Sequence, residues 1–350
     1  MMSGAPARRM TPSHLLGLAA ALAALAVVAV ACARRAPLPA RAPAPAVAVS
    51  RRDFHGWPAL VLGNGRAELT IVPQIAGRIM QLALAGEGGA RGPFWSHPGL
   101  GPALAGDENG WINFGGDKAW PAPQSRWEAI VGRGWPPPHT FDAAAFTAEV
   151  GADGRVTLLS PVDPAYGLRV RRTIALDEAA PVATVETCYQ KVSGPSVRVG
   201  VWTITQLASP ERLFLRLPAR SAFPGGFAQR MPDPPRALTV EGRLLSLERD
   251  PAAKTMIVSD GEAMLWVGDG PDLLIETLPQ AHDPASEWPD GAHAQIYTSS
   301  DQALPYVELE LMSPLRDLAP GAEACLRVRY TLLARAETDA RAEGKRVLGP

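Results

Sequence analysis

The sequence predicts an all-β fold, a large antiparallel sandwich of two sheets in a single domain. Three observations predict it. Short runs rich in β-branched residues recur along the chain, each bounded by Gly, Pro, Asp or Ser. No long amphipathic helical pattern appears beyond the N-terminal segment. The runs also outnumber what a single immunoglobulin-like sandwich would use, which points to a larger two-sheet architecture.

The chain opens with a segment that is read separately. Arg8 and Arg9 precede a charge-free, small and apolar run at residues 15–31, the layout of a secretory signal. The run ends in "AVAC", which resembles a bacterial lipobox with Cys32 as the lipidated residue, although Ala29 stands where leucine is usual. The alternative is an uncleaved membrane anchor, since an apolar run of this length is at the lower edge of a bilayer span. Arginines flank both ends (Arg8, Arg9, Arg34, Arg35), so charge bias does not separate the two. Both readings export the rest of the chain. Residues 1–32 are thus expected to be a signal segment and residues 33–50, almost only Ala, Pro and Arg, an extended tether.

Residues 51–335 are expected to form the domain. "ALVLGNGRAELTIV" gives two β-rich runs around Gly63-Asn64-Gly65, a hairpin. "GRVTLLS", "LRVRRTIAL", "VATVETCYQ", "VRVGVWTITQL", "ALTVEGRLLSLE", "DLLIETL", "AQIYTSS", "YVELEL" and "CLRVRYTLL" follow as strands. "FDAAAFTAEV" is expected to be a short helix, and the charged residues 336–350 a tail that frays beyond the last strand. Net charge is −1, with acidic and basic residues interspersed, which leaves no electrostatic case for a nucleic-acid partner. Cys188 and Cys325 can form one disulfide or remain two buried thiols.

Side chains alternate along a strand, and two strands make that parity informative. In "YVELELM", Val307, Leu309 and Leu311 share one face, and Tyr306, Glu308, Glu310 and Met312 the other. In "VRVGVWTITQL", Val197, Val199, Val201 and Leu207 oppose Arg198, Trp202 and Gln206. A tryptophan on a plain solvated face would be wasteful apolar exposure, so this face is expected to bind something.

"WINFGGDKAWPAPQSRW", "GWPPP", "WTITQL", "EWPDG" and "YVELELMSPLRDLAPG" occur in that order. Together they resemble the bacterial domain of unknown function 4380 family, over about residues 54–333. That family is grouped with galactose-mutarotase-like proteins, so the resemblance implies a large antiparallel β-supersandwich with a sugar-binding concave face. "GGDKAWPAPQ" is similar to a Gly-Gly-x-x-x-Trp-Pro loop of hexose-6-phosphate mutarotase-like proteins. "ELELMSPLRDLAPG" resembles their final hairpin, which implies a catalytic glutamate at Glu308 or Glu310.

A pyranose offers apolar C–H faces to flat rings and hydroxyls to directional hydrogen-bonding groups. Trp120, Trp127, Trp135 and Trp202 are candidate platforms; Asp117, Lys118, Gln124, Arg126, Gln206 and Asp290 are candidate readers, with residues 113–127 forming a loop at the cleft rim. Ring opening needs a base at the anomeric hydroxyl and an acid at the ring oxygen. Glu308 or Glu310 supplies the base. The acid of characterised mutarotases is a histidine on the strand that here reads "VGVWTITQL", which has none. Lys118 takes that role if burial lowers its pKa; His139, His282 and His293 read as loop residues. Paired glutamates on one strand do not flank a glycosidic bond, so hydrolysis would need a further acid such as Asp117 or Asp290. No metal and no cofactor is expected. A non-catalytic saccharide-binding lipoprotein, or a structural envelope protein, is the alternative to an enzyme.

If Cys32 carries the lipid, Cys32→Ser should move the protein from the membrane to the soluble fraction after cell fractionation. Continued membrane association of this variant would support the uncleaved anchor instead.

Overall fold

The computed structural model describes residues 47–86, 92–270, 272–279, 283 and 285–349. The expected signal segment with Cys32, residues 33–46 of the expected tether, and His282 lie outside the described residues. Among the described residues, no helix is long and apolar enough to cross a membrane.

In chain order the strands begin with β1 (Ala48–Phe54), β2 (Trp57–Gly63), β3 (Ala67–Val72), β4 (Arg78–Leu84), β5 (Asp117–Ala122), β6 (Thr147–Val150) and β7 (Val156–Val162). Next come β8 (Leu168–Leu176), β9 (Val182–Lys191), β10 (Val197–Ala208), β11 (Arg212–Arg216), β12 (Phe227–Gln229), β13 (Arg236–Glu241) and β14 (Leu244–Glu248). The last are β15 (Thr255–Ser259), β16 (Ala263–Val267), β17 (Asp272–Thr277), β18 (Ala294–Thr298), β19 (Tyr306–Met312), β20 (Arg316–Leu318) and β21 (Glu323–Ala334). Three short helices join them: α1 (Trp127–Val131), α2 (His139–Asp142) and α3 (Ala340–Leu348).

All named pairings are antiparallel, and they form two sheets. The first has the order β1-β2-β3-β4-β5-β10-β19-β18-β15-β12, with β20 also on β10. The second runs β13-β14-β11-β16-β17-β21-β9-β8-β7-β6. Leu, Val and Ile from both sheets meet between them: Leu69, Val201, Leu207, Leu309 and Leu311 from the first, and Leu158, Val170, Val185, Val328 and Leu332 from the second. The expected two-sheet sandwich is what forms.

Four expectations are corrected. Residues 113–127 are not a loop throughout, because Asp117–Ala122 is a buried strand inside the first sheet. Pro121 hid it, since proline cannot donate to a ladder. The site tolerates it because β5 pairs with β4 only at Ile79↔Asp117, which leaves its other edge without a strand partner farther on. Residues 48–50, expected to belong to the tether, are strand, because Ala48–Ser50 pair with Val61–Gly63 in the β1/β2 ladder.

The C-terminal residues form α3 rather than a frayed tail. Asp339 caps the helix by accepting from the Ala342 N–H, and the buried Glu343 carboxylate accepts from the Ala336 and Glu337 N–H groups. Ala340 packs on Phe214, Leu265 and Leu273 of the second sheet. Gly344 lets the helix lie close, since a Cβ there would meet the Phe214 ring at 2.3 Å. Of "FDAAAFTAEV", only the start is helical, in α2, and its end is the strand β6. Cys188 and Cys325 sit opposite each other in the β9/β21 ladder and are joined as a disulfide, which settles the two alternatives.

Candidate functional site

Three adjacent strands of the first sheet assemble the site through register alone. Trp120 of β5 lies opposite Trp202 of β10, which lies opposite Met312 of β19. Lys118, Ile204 and Glu310 form the next row, and Gln206 and Glu308 the row beyond. Because alternate residues share a face, these side chains all project away from the second sheet.

The same alternation removes Asp117 from the site. Its side chain points between the sheets, where its carboxylate pairs with Arg172 of β8 and accepts from Tyr330 of β21 at 2.7 Å. Asp117 is fully buried there and ties the two sheets together, so it is not a ligand reader. Adjacent residues of one strand cannot serve the same face, which is why Asp117 and Lys118 part company.

Lys118 has no exposed surface. Its ammonium lies 3.4 Å from Glu308 Oε1 and 4.9 Å from the centre of the Trp120 ring. Burial lowers its pKa, against the opposing pull of Glu308. Glu308 keeps 15% of its side chain open. Glu310 is buried, accepts from Trp202 Nε1 at 2.7 Å, and is pushed up to about 8 by desolvation and by the neighbouring Glu308 charge. The three groups are therefore unlike one another: an open carboxylate, a buried ammonium behind it, and a carboxyl that holds its proton at neutral pH.

Five tryptophans surround this centre. Trp120 meets Trp127, Trp135 and Trp202 edge-on at centroid distances of 5.6, 5.9 and 5.6 Å, and Trp135 meets Trp111 at 5.0 Å. Asp142, which the sequence did not flag, organises them. It accepts from the indoles of Trp111 and Trp120, each at 3.0 Å, and from Arg78 at 2.6 Å. Trp127 is wholly buried and donates to the Pro121 carbonyl at 2.7 Å, so it packs rather than stacks on a ligand. Trp120 is likewise enclosed, by three other indoles and the Lys118 ammonium, and offers no open platform. Trp135 is the exposed member, and the edge of Trp202 lines a cavity.

That cavity, about 420 Å³, is bordered by Gln124, Trp202, Arg230, Asp290, Gln295 and Met312. Arg126 borders a second cavity of about 820 Å³ that shares Pro123 and Asp290 with the first. A third, about 480 Å³, lies toward the other end of the strands, with Asn113, Lys254, Tyr297 and Tyr306 on its wall. Gln206 sits beside Glu308, fully buried, with neither amide atom hydrogen-bonded. Of the expected residues, the structure thus gathers Lys118, Trp202, Gln206, Glu308 and Glu310 on one face. Gln124, Arg126, Trp135 and Asp290 lie at its border.

His139 is exposed at the start of α2, and His293 is buried against the Trp288 ring, 4.6 Å between centroids. Tyr297, Tyr306 and Gln295 were missed as site residues, although the period of two in "AQIYTSS" and "YVELELM" contains them. Arg230 and Asp142 carry no such signal.

Residues 58–333 match the model of a family described as a domain of unknown function, DUF4380. The chain belongs to this family. No curated protein matches the chain in sequence. Among solved structures, a galactose mutarotase-like protein from Lactobacillus casei is similar at 10% identity with a TM-score of 0.50, covering 79% of this chain and 100% of that one. A TPR-domain containing protein from Parabacteroides distasonis is similar at 12% identity with a TM-score of 0.53, over 85% of this chain. The match spans 54% of that second protein, about half its length. At these identities the likeness concerns the fold, which this family member shares with galactose mutarotase-like proteins.

The raised Glu310 gives a stability prediction. A carboxyl whose folded pKa lies above its unfolded value contributes stability that is fully present below about 4.5 and is lost as pH rises through about 8. Glu310→Gln should remove that loss and still accept from the Trp202 indole. Relative to wild type, the variant should be more stable at pH 9 than at pH 5 by on the order of 2 kcal/mol, since each pKa unit is worth about 1.4 kcal/mol and the coupling to Glu308 takes up part. Urea unfolding at the two pH values measures this, and an unchanged pH dependence would contradict the assignment.

Proposed function

We propose that this protein is an exported carbohydrate-binding protein whose cleft carries acid–base chemistry of the sugar epimerase or mutarotase kind. The observation that carries the reading is the placement of Glu308. It is the partly open member of a carboxylate, ammonium and carboxyl cluster, on a sheet face flanked by cavities with aromatic, amide and charged walls. The fold shared with galactose mutarotase-like proteins is consistent with a sugar ligand.

In this reading Glu308 takes the proton of the anomeric hydroxyl. Lys118, which has no exposed surface where it stands, turns from behind Glu308 into the cleft and gives a proton to the ring oxygen as the bond between that oxygen and the anomeric carbon breaks. The hydroxyl oxygen becomes a carbonyl, and reclosure on its other face runs the two transfers in reverse. Burial favours Lys118 as donor because it disfavours the charged ammonium. The 3.4 Å ion pair holds acceptor and donor side by side, and the reverse transfers return each to the state in which it began. Glu310 holds the Trp202 indole and keeps a second negative charge away from Glu308 at neutral pH. In this reading Lys118 takes the role of the histidine that the strand "VGVWTITQL" lacks.

Export rests on the segment that begins at Arg8 and Arg9 and ends at Cys32, and a lipid on Cys32 is the proposed anchor, with residues 33–46 as spacer. The partners in this reading are a saccharide and, through the lipid, a membrane.

The test compares two kinds of variant on whichever sugar shifts the melting temperature in a saccharide screen. Glu308→Gln should leave affinity nearly unchanged and slow anomer interconversion by about 10²–10⁴, the usual worth of a general base. Gln124→Ala, at the cavity wall, should instead weaken binding. Unchanged interconversion in Glu308→Gln would leave a binding protein without this chemistry. A screen in which no saccharide shifts the melting temperature at millimolar concentration would contradict the carbohydrate reading altogether.

A further inference from the structure

The 420 and 480 Å³ cavities lie in line along one face of the first sheet. On β19 the residues of that face are Met312, Glu310, Glu308 and Tyr306, in that order. Met312 borders the 420 Å³ cavity and Tyr306 the 480 Å³ cavity, so the two glutamates occupy the positions between them. The neighbouring strand repeats the arrangement. Gln295, opposite Glu310, borders the first cavity, and Tyr297, opposite Glu308, borders the second. One strand farther on, Val258 and Met256 face the first cavity, and Lys254, in line with them, faces the second. At about 3.4 Å per residue, Met312 and Tyr306 are about 20 Å apart. The 820 Å³ cavity continues the first beyond Pro123 and Asp290.

A ligand that needed only one sugar ring would be served by one of these spaces, since single-ligand pockets run from about 300 to 1,000 Å³. Here there is space on both sides of the acid pair, and each side has its own equipment. The first has the Trp202 edge with Gln124, Arg230 and Gln295. The second has Asn113, whose buried side-chain oxygen has no hydrogen-bond partner, with Tyr297 and Tyr306, 6.3 Å apart. Trp111 adds a third aromatic ring to that wall, and Trp95 packs on Tyr306 at 5.0 Å. The buried Gln206 amide, also unpartnered, is at the junction beside Glu308. Unsatisfied buried amides of this kind are costly unless water or a ligand completes them.

Charge narrows the ligand class. Arg230 faces Asp290 in the first cavity, and Lys254 is outnumbered by Asp107 and Asp301 in the second. Neither end has the excess of cations that an acidic glycan would call for.

We infer that the cleft binds a neutral oligosaccharide that runs across the Glu308–Glu310 pair, with sugar units on both sides of it, rather than a single monosaccharide. The inference rests on the carbohydrate reading and specifies its substrate class.

The test is calorimetry on the full-length protein with homologous gluco-, manno- and galacto-oligosaccharides of one to six units, together with Gln124→Ala at one end and Lys254→Ala at the other. Both positions are exposed, so neither change should disturb the core. Affinity in the recognised series should rise at least tenfold between one unit and the longer members. Each variant should weaken the longer members severalfold. Equal affinity for the monosaccharide and its oligomers, or sensitivity to only one of the two variants, would overturn the inference while leaving a saccharide site in place. Absence of binding by every member would overturn the carbohydrate reading with it.

Discussion

A buried ammonium has to be paired, and the pairing of Lys118 with Glu308 is the constraint around which the rest of this site is arranged. Lys118 lies on a central strand with no exposed surface, so its charge is tolerable only because Glu308 stands two strands away in the right register. Removing one partner of a buried pair typically costs about 3–5 kcal/mol. The same requirement shapes Glu310. With one carboxylate already beside the ammonium, a second negative charge in a desolvated place is unfavourable, and the proton stays on Glu310. Burial and this ion pair thus push Lys118 down and Glu310 up, and groups pushed apart in this way are the condition under which a cluster can move protons.

Two further acids hold the frame in which that pair works, and neither faces a ligand. Asp142 gathers Arg78 and the indoles of Trp111 and Trp120, so the aromatic wall behind Lys118 is fixed by hydrogen bonds as well as by packing. Asp117 does the corresponding work on the inner side, joining β5 to Arg172 and Tyr330 of the second sheet. The strand carrying Lys118 is therefore held from both faces. A rigid strand suits a site that must keep donor and acceptor within hydrogen-bond reach. The cleft side of the sheet can then vary at its borders, where Gln124, Arg126, Trp135 and Asp290 are exposed, without disturbing this centre.

Much of the fold was legible because period-two patterns report burial directly. "YVELELM" and "VRVGVWTITQL" gave the correct faces, and through them Glu308, Glu310, Trp202 and Gln206 came to one side before any geometry was known. The strand at Asp117–Ala122 was not legible, because Gly115, Gly116 and Pro121 are the marks of a turn, and only an edge lacking a ladder partner lets proline stay. Reading that segment as a loop made Asp117 and Lys118 look equivalent. Once it is a strand, alternation alone separates them. Asp142 was invisible for another reason: its role depends on three partners distant in sequence, which local pattern cannot report. The C-terminal helix was hidden by its charge, since Glu343, Lys345 and Arg346 look solvated until Ala340 and Gly344 are seen against the second sheet.

The central claim is that Glu308, paired with the buried Lys118 and standing beside a Glu310 that keeps its proton, is the acid–base carboxylate of a ligand-facing cleft. Carbon-13 NMR of glutamate-labelled protein, titrated with and without a bound saccharide, tests this most directly. The account predicts a carboxyl, missing from Glu310→Gln, that titrates near 8, and a Glu308 carboxyl whose resonance moves when the saccharide is added. A Glu310 carboxyl that titrates in the ordinary range near about 4.3, or a bound saccharide that leaves the Glu308 signal untouched, would contradict it.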